Sequence, residues 1–135
     1  MKYVYPAIFT PIEEGEFEGG YRVHVPDLPY TRTFGKDLID AIDMAEDAVA
    51  MWLLDAENNK EPIPQASTNL SCADAEFVSM IVADTDAYRR QVDSRAVKKT
   101  LSIPAWLNHQ AEAAHVNFSS LLQDALKSHL KIAQR

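Results

Sequence analysis

The sequence predicts an α+β protein in two parts: an N-terminal domain of order β-β-β-α-β over residues 1–93 and a C-terminal β-α-α segment over residues 94–135. Three observations predict this. Short runs with period-two alternation crowd the stretch before Gly35, an amphipathic period of 3.6 begins at Asp37, and the sign of the charge reverses beyond Asp93.

Tyr3 to Phe9 is rich in aromatic and β-branched residues and reads as the first strand, with Pro6 implying an edge position or a bulge because it has no N–H for a ladder. The acidic, glycine-bearing stretch Glu13 to Gly20 is a turn. Tyr21, Val23 and Val25 then alternate with Arg22 and His24, which completes a hairpin. Pro26-Asp27-Leu28-Pro29 breaks that strand, and Tyr30 to Phe34 supplies a third one ending at Gly35.

Asp37 followed by Asp40 resembles a capping box with the shorter carboxylate in place of Glu or Gln, so a helix starts there. Leu38, Ile42, Ala45, Val49 and Trp52 recur at spacings of four and three, with Asp40, Asp43 and Asp47 opposite, which predicts one face packed on the sheet as far as about Ala56. Asn58 to Pro64 is a loop by composition, Gln65 to Asp74 has no clear period, and Phe77 to Ala83 reads as a fourth strand. A boundary is expected between Gln91 and Ala96.

The composition narrows the function classes. Nearly half of the 135 residues are apolar (47%), which is globular usage. No run of about 18 apolar residues is present and Met1 to Thr10 lacks the pattern of a signal peptide, so no membrane association is expected and the chain reads as cytoplasmic. Cys72 stands alone, without a disulfide partner, and no Cys or His has zinc spacing. The net charge of −7 is unevenly spread. Seven basic and eighteen acidic residues up to Asp93 leave −11; six basic and two acidic from Ser94 onward leave +4. The basic part is therefore the candidate for phosphate contact.

In that basic part Val97 to Ile103 reads as a short strand, Pro104 opens a helix, and Asn117 caps another that runs to about Lys131. Fragments below about 40 residues rarely bury enough apolar surface alone, so a partner copy is expected. Leu101 and Ile103 must share the face turned to the helices, which leaves Lys98, Thr100 and Ser102 outward with groups able to bond base edges. Behind the Asn117 cap, the amides of Phe118 and Ser119 offer a phosphate site.

The run Lys98-Lys99-Thr100-Leu101-Ser102-Ile103-Pro104, with the apolar positions of the two helices after it, resembles the ribbon-helix-helix repressors over Val97 to about Leu130. The resemblance implies an antiparallel two-stranded ribbon in the DNA major groove, formed by two copies. Leu101, Ile103, Leu122 and Leu126 are then the dimerisation residues, and Lys98, Thr100, Ser102, Asn117, Phe118 and Ser119 the DNA-binding ones. The chain departs from that family at His115, where glycine usually ends the first helix; a left-handed His115 implies strain of about 1 kcal/mol.

Upstream, Gly20-Tyr21, Val25-Pro26-Asp27-Leu28-Pro29, Gly35, Asp40-Ala41 and the helix ending near Trp52 follow one another as in the HicB antitoxin domain. This resemblance implies a partial ribonuclease-H-like fold whose acidic surface binds and blocks a small basic mRNA-cleaving toxin, HicA, while the complex represses its own operon. It implies a homodimer, with tetramers of paired dimers as the alternative, and operator DNA as a second partner. No catalytic residue, metal site or cofactor is expected. A working nuclease would need several carboxylates converging on divalent metal, and Tyr3 to Phe9 carries none. Asp27, Asp84 and Asp86 read as turn and surface residues. His24 faces away from the apolar side of its strand, and His109, His115 and His129 lie in the dimerisation segment. The alternatives are a ligand-responsive ribbon-helix-helix repressor and a metal-dependent ribonuclease.

Overall fold

The computed structural model describes residues 1–132. The chain divides into two compact units, Met1–Ser94 and Arg95–Arg135.

In the first unit β1 (Lys2–Pro11) is the centre of an antiparallel sheet of order β3-β2-β1-β4, with β2 at Tyr21–His24, β3 at Arg32–Gly35 and β4 at Phe77–Asp84. Opposed residues share a face, so Phe9, Val23 and Phe77 stand together, as do Tyr5 and Ile81. Pro6 lies where β1 pairs with β4 alone; β2 joins only at Ile8 to Pro11. The missing N–H therefore costs no bond to β2.

Helix α1 (Leu38–Asn59) starts at the expected cap: the Asp37 side chain accepts the Asp40 amide at 2.8 Å. The Asp40 carboxylate reaches back to the amide of Lys36 at 2.9 Å, one residue before the usual capping-box target. Its buried face differs from the expected stripe. Ala45 and Val49 are buried as expected, but Ala41, Ala50, Leu53 and Ala56 complete that face, Ile42 and Trp52 lie half-buried at its rim, and Leu38 is exposed. The reason is close approach: a Cβ on Gly35 would fall 2.1 Å from the backbone nitrogen of Ala41. Only small residues fit against the sheet there, and the larger side chains rotate to the flanks. With Tyr5, Phe9, Val25, Leu28 and Ile81 they form one core, in which each large side chain contributes about 1.5–3 kcal/mol by leaving water.

The expected order β-β-β-α-β gains a helix, α2 (Thr85–Val92). Asp84, taken from sequence as a turn residue, is its N-cap and accepts the amides of Asp86 and Ala87 at 3.0 and 3.2 Å. Glu57 fastens this helix. Its carboxylate accepts the hydroxyls of Tyr3 (2.9 Å) and Thr85 (2.8 Å) and pairs with Arg89 at 3.2 Å. Burial, and then the bond to Glu57, raise the Tyr3 phenol above its ordinary range. Asp27 is likewise more than a surface turn residue: its carboxylate accepts both the amide and the hydroxyl of Ser67, tying the loop after β2 to the segment after α1.

The second unit contains α3 (Ala105–Ala113) and α4 (Phe118–His129), with Pro104 and Asn117 as N-caps. The strand expected over Val97 to Ile103 is not formed: residues 93–104 carry no regular structure. A strand is defined by a ladder partner, and among the described residues this segment joins no sheet. Arg135, counted in the positive balance, lies outside the described residues. Among the described residues no helix is long and apolar enough to cross a membrane.

Candidate functional site

Two surfaces carry the chemistry, one in each unit. In the second unit the turn between the helices depends on His115, which adopts φ 55°. Its amide donates to Glu112 O at 3.0 Å and the Val116 amide to Ala111 O at 3.1 Å, the paired bonds that close a helix around a left-handed residue. The chain thereby turns into α4, where the Asn117 side chain accepts the amide of Ser120 at 3.0 Å. Phe118 and Ser119 supply the first amides of that helix, which have no acceptor inside it.

Leu101 and Ile103 line a shallow cleft of about 520 Å³ together with Phe118, Ser119, Leu121 and Leu122 of α4. Lys98, Thr100 and Ser102 do not line it and are exposed, an alternation with period two even without a ladder. Leu126 is exposed beyond the cleft lining. No residue of α3 or α4 is buried, and Leu101, Ile103, Leu122 and Leu126 are between 37% and 60% exposed. These apolar side chains are left largely in water.

The first unit offers a groove of opposite character. Asp43, Glu46 and Asp47 of α1 and Asp84 line one cleft of about 470 Å³ with Ala87, Tyr88 and Gln91 of α2; Lys2 is the one basic residue in its lining. The periodicity of α1 placed its acids on the outer face, but the wall built by α2 was missed. The Asp84-Thr85-Asp86 start and the Arg89-Arg90 end were the available signals, a cap with an acidic first turn and a basic last one. On the outer side of the sheet Glu76 accepts the Thr10 hydroxyl and the Ala73 amide, and these bonds, in that order, with the charge of His24, hold its carboxyl below the ordinary range. Among the described residues no group of three or more His, Cys, Asp or Glu side chains is placed to hold a metal ion.

A family profile described as HicB_like antitoxin of bacterial toxin-antitoxin system matches residues 5–126. Antitoxin HicB 1 of Photorhabdus laumondii subsp. laumondii is 33% identical over 95 residues, 66% of this chain and 59% of that protein, so the match spans less than two thirds of the relative's length. A chain of the solved toxin-antitoxin complex from Streptococcus pneumoniae superposes with a TM-score of 0.60 at 28% identity, covering 96% of this chain and 99% of that one. The crystal structure of the Burkholderia pseudomallei antitoxin HicB is more distant, with a TM-score of 0.48 at 18% identity and coverage of 97% and 98%. The profile spans most of both units, and the chain belongs to the HicB-like antitoxins of bacterial toxin-antitoxin systems.

Proposed function

We propose that residues 1–93 bind and neutralise a HicA-type mRNA-cleaving toxin, and that residues 94–135 form a dimeric ribbon-helix-helix unit that represses the chain's own operon. One observation carries the second half: among the described residues the unit after Ser94 has no buried helical residue, and its lead segment Val97 to Ile103, alternating like a strand, joins no sheet. A second copy answers both needs at once, because pairing two lead segments satisfies the backbone and stacks Leu101, Ile103, Leu122 and Leu126 against their equivalents. Lys98, Thr100 and Ser102 then face the major groove, and the amides of Phe118 and Ser119 behind the Asn117 cap hold a phosphate.

The toxin half is supported by the acidic groove along α1 and by the Streptococcus pneumoniae neighbour, a toxin-antitoxin complex. Complementary charge speeds encounter with a basic protein and orients its docking. The test is co-expression with the adjoining open reading frame, followed by copurification and titration of labelled operator at two salt concentrations. A fragment ending at Asp93 is expected to retain the toxin and lose the operator. Loss of toxin binding from a fragment that remains folded by circular dichroism would place the inhibitory surface elsewhere.

A further inference from the structure

Four non-glycine residues among those described have positive φ: Tyr30, Lys60, His115 and Lys131. Three of them close helices. The amides of Lys60 and Glu61 return to Glu57 and Ala56, those of His115 and Val116 to Glu112 and Ala111, and those of Lys131 and Ile132 to Ser128 and Lys127. In each, the left-handed residue completes the hydrogen bonding of a helix C-terminus. Tyr30, at φ 63°, ends no helix. A bulky ring in that region is an outlier that persists only where its surroundings impose it.

The surroundings do impose it. Between β2 and β3 the chain turns through Pro26-Asp27-Leu28-Pro29-Tyr30, and the Val25 amide closes the loop on Thr31 O at 3.1 Å. Leu28 plugs it into the core at 1% exposure, and the Asp27 carboxylate grips Ser67, in a segment that the Tyr5 hydroxyl fastens at Pro64 O. From this braced loop Tyr30 projects with 100% exposure. Among the described residues its ring stacks on no other ring and its hydroxyl makes no hydrogen bond, so the turn that the Thr31 amide closes on Leu28 O at 3.3 Å calls for a left-handed residue there but not for an aromatic one.

We propose that Tyr30 is a preorganised anchor for the basic toxin, its ring receiving an arginine or lysine side chain of that partner. This rests on the toxin-binding reading above. Tyrosine is enriched at binding hot spots, and a rigid loop removes the ordering cost that a mobile one would meet on binding. The domain's charge of −11 draws cations to its surface, and the face of an exposed phenol attracts them at short range.

The full-length antitoxin would be titrated with the small basic protein encoded beside it, recovered from the copurified complex by denaturation and refolded. Asparagine tolerates the left-handed region without supplying a ring. Tyr30→Asn is therefore expected to weaken binding at least about tenfold, a typical loss for a residue carrying more than 1.4 kcal/mol. Its melting temperature should equal or exceed that of the unaltered chain, because the strain is relieved. Tyr30→Phe should keep affinity within about threefold, since the ring face remains. An Asn variant that binds within threefold of the unaltered chain, or that loses affinity only together with a lowered melting temperature, overturns the assignment of Tyr30. Failure of the unaltered chain to bind this protein overturns the toxin-binding reading itself, and with it the anchor.

Discussion

In the first unit α1 lays Ala41, Ala45, Val49 and Leu53 against a four-stranded sheet until none is more than 1% exposed, whereas in the second no residue of α3 or α4 is buried. Both units have capped helices with apolar positions, so helix formation is not what separates them. The difference is the number of layers. A sheet and a helix can enclose a core between them, but two short helices have no second layer to close on. The first unit is thus expected to carry its stability within one chain, and the second to share its stability with a partner.

The sharpest way to break that contrast is Leu122→Asp. A carboxylate placed in the cleft beside Leu101 and Ile103 would be buried unpaired in a dimer. Light scattering should report monomers at micromolar concentration, operator binding should vanish, and the first unit's circular dichroism and toxin binding should persist. A monomeric unaltered chain at that concentration would remove the ribbon reading.

Next in size is Leu53→Ala, at 0% exposure in the core of the first unit, expected to cost about 2–5 kcal/mol in urea melts, independently of protein concentration. Leu126→Ala, the same change in the second unit, should instead give a loss that diminishes as the concentration rises. If both changes behave alike with concentration, the two units do not differ as argued.

Lys98→Ala is expected to lower discrimination of operator over scrambled DNA by about 1–3 kcal/mol without changing the melting curve, the size of one specific bidentate base contact. Lys127→Ala or Lys131→Ala should weaken all sequences alike if either residue touches phosphate. Unchanged selectivity in Lys98→Ala, Thr100→Ala and Ser102→Ala together would exclude this segment as the reading element. Asn117→Ala removes the cap of α4 and should cost about 1 kcal/mol, read as a lower melting temperature of the dimer.

The smallest effect is one of pH in the first unit. Glu76 has its carboxyl held below its ordinary value of 4.5, so its bonds to Thr10 and Ala73 stabilise the fold above that value. The contribution is lost as the pH falls from there through the lower, folded-state value. Thr10→Val should flatten the acid side of the stability profile in that window and leave neutral pH nearly untouched. A profile of unchanged slope would mean that the bond to Thr10 does not hold the proton off.

Much of the first unit was legible because its signals are local. The Asp37 cap, the turn at Glu13 to Gly20, the alternation of Tyr21, Val23 and Val25, and the apolar run from Phe77 each act through neighbours in the chain. So do the caps at Pro104 and Asn117 in the second unit. Three features escaped for physical reasons. The buried stripe of α1 is set by the contact of Gly35 with Ala41, and no hydropathy pattern encodes how near a sheet will lie. Helix α2 is short and polar, and it is tied down by Glu57 from another helix. The lead segment of the second unit has the alternation of a strand but lacks the partner that would make it one.

Charge asymmetry, helix caps and the order of β and α segments belong to the sequence itself, because each depends on residues a few positions apart. The antitoxin family is also written there, in motifs that the comparison with relatives bears out. Only the tertiary structure decided which residues of α1 face the sheet, that Asp43, Glu46, Asp47 and Asp84 share one groove, and that Tyr30 stands wholly in solvent with a left-handed backbone. These depend on how closely distant segments approach, a matter of side-chain volume and loop bracing across tens of residues. Local pattern carries no record of such distances, since the packing that sets them exists only once the layers have met.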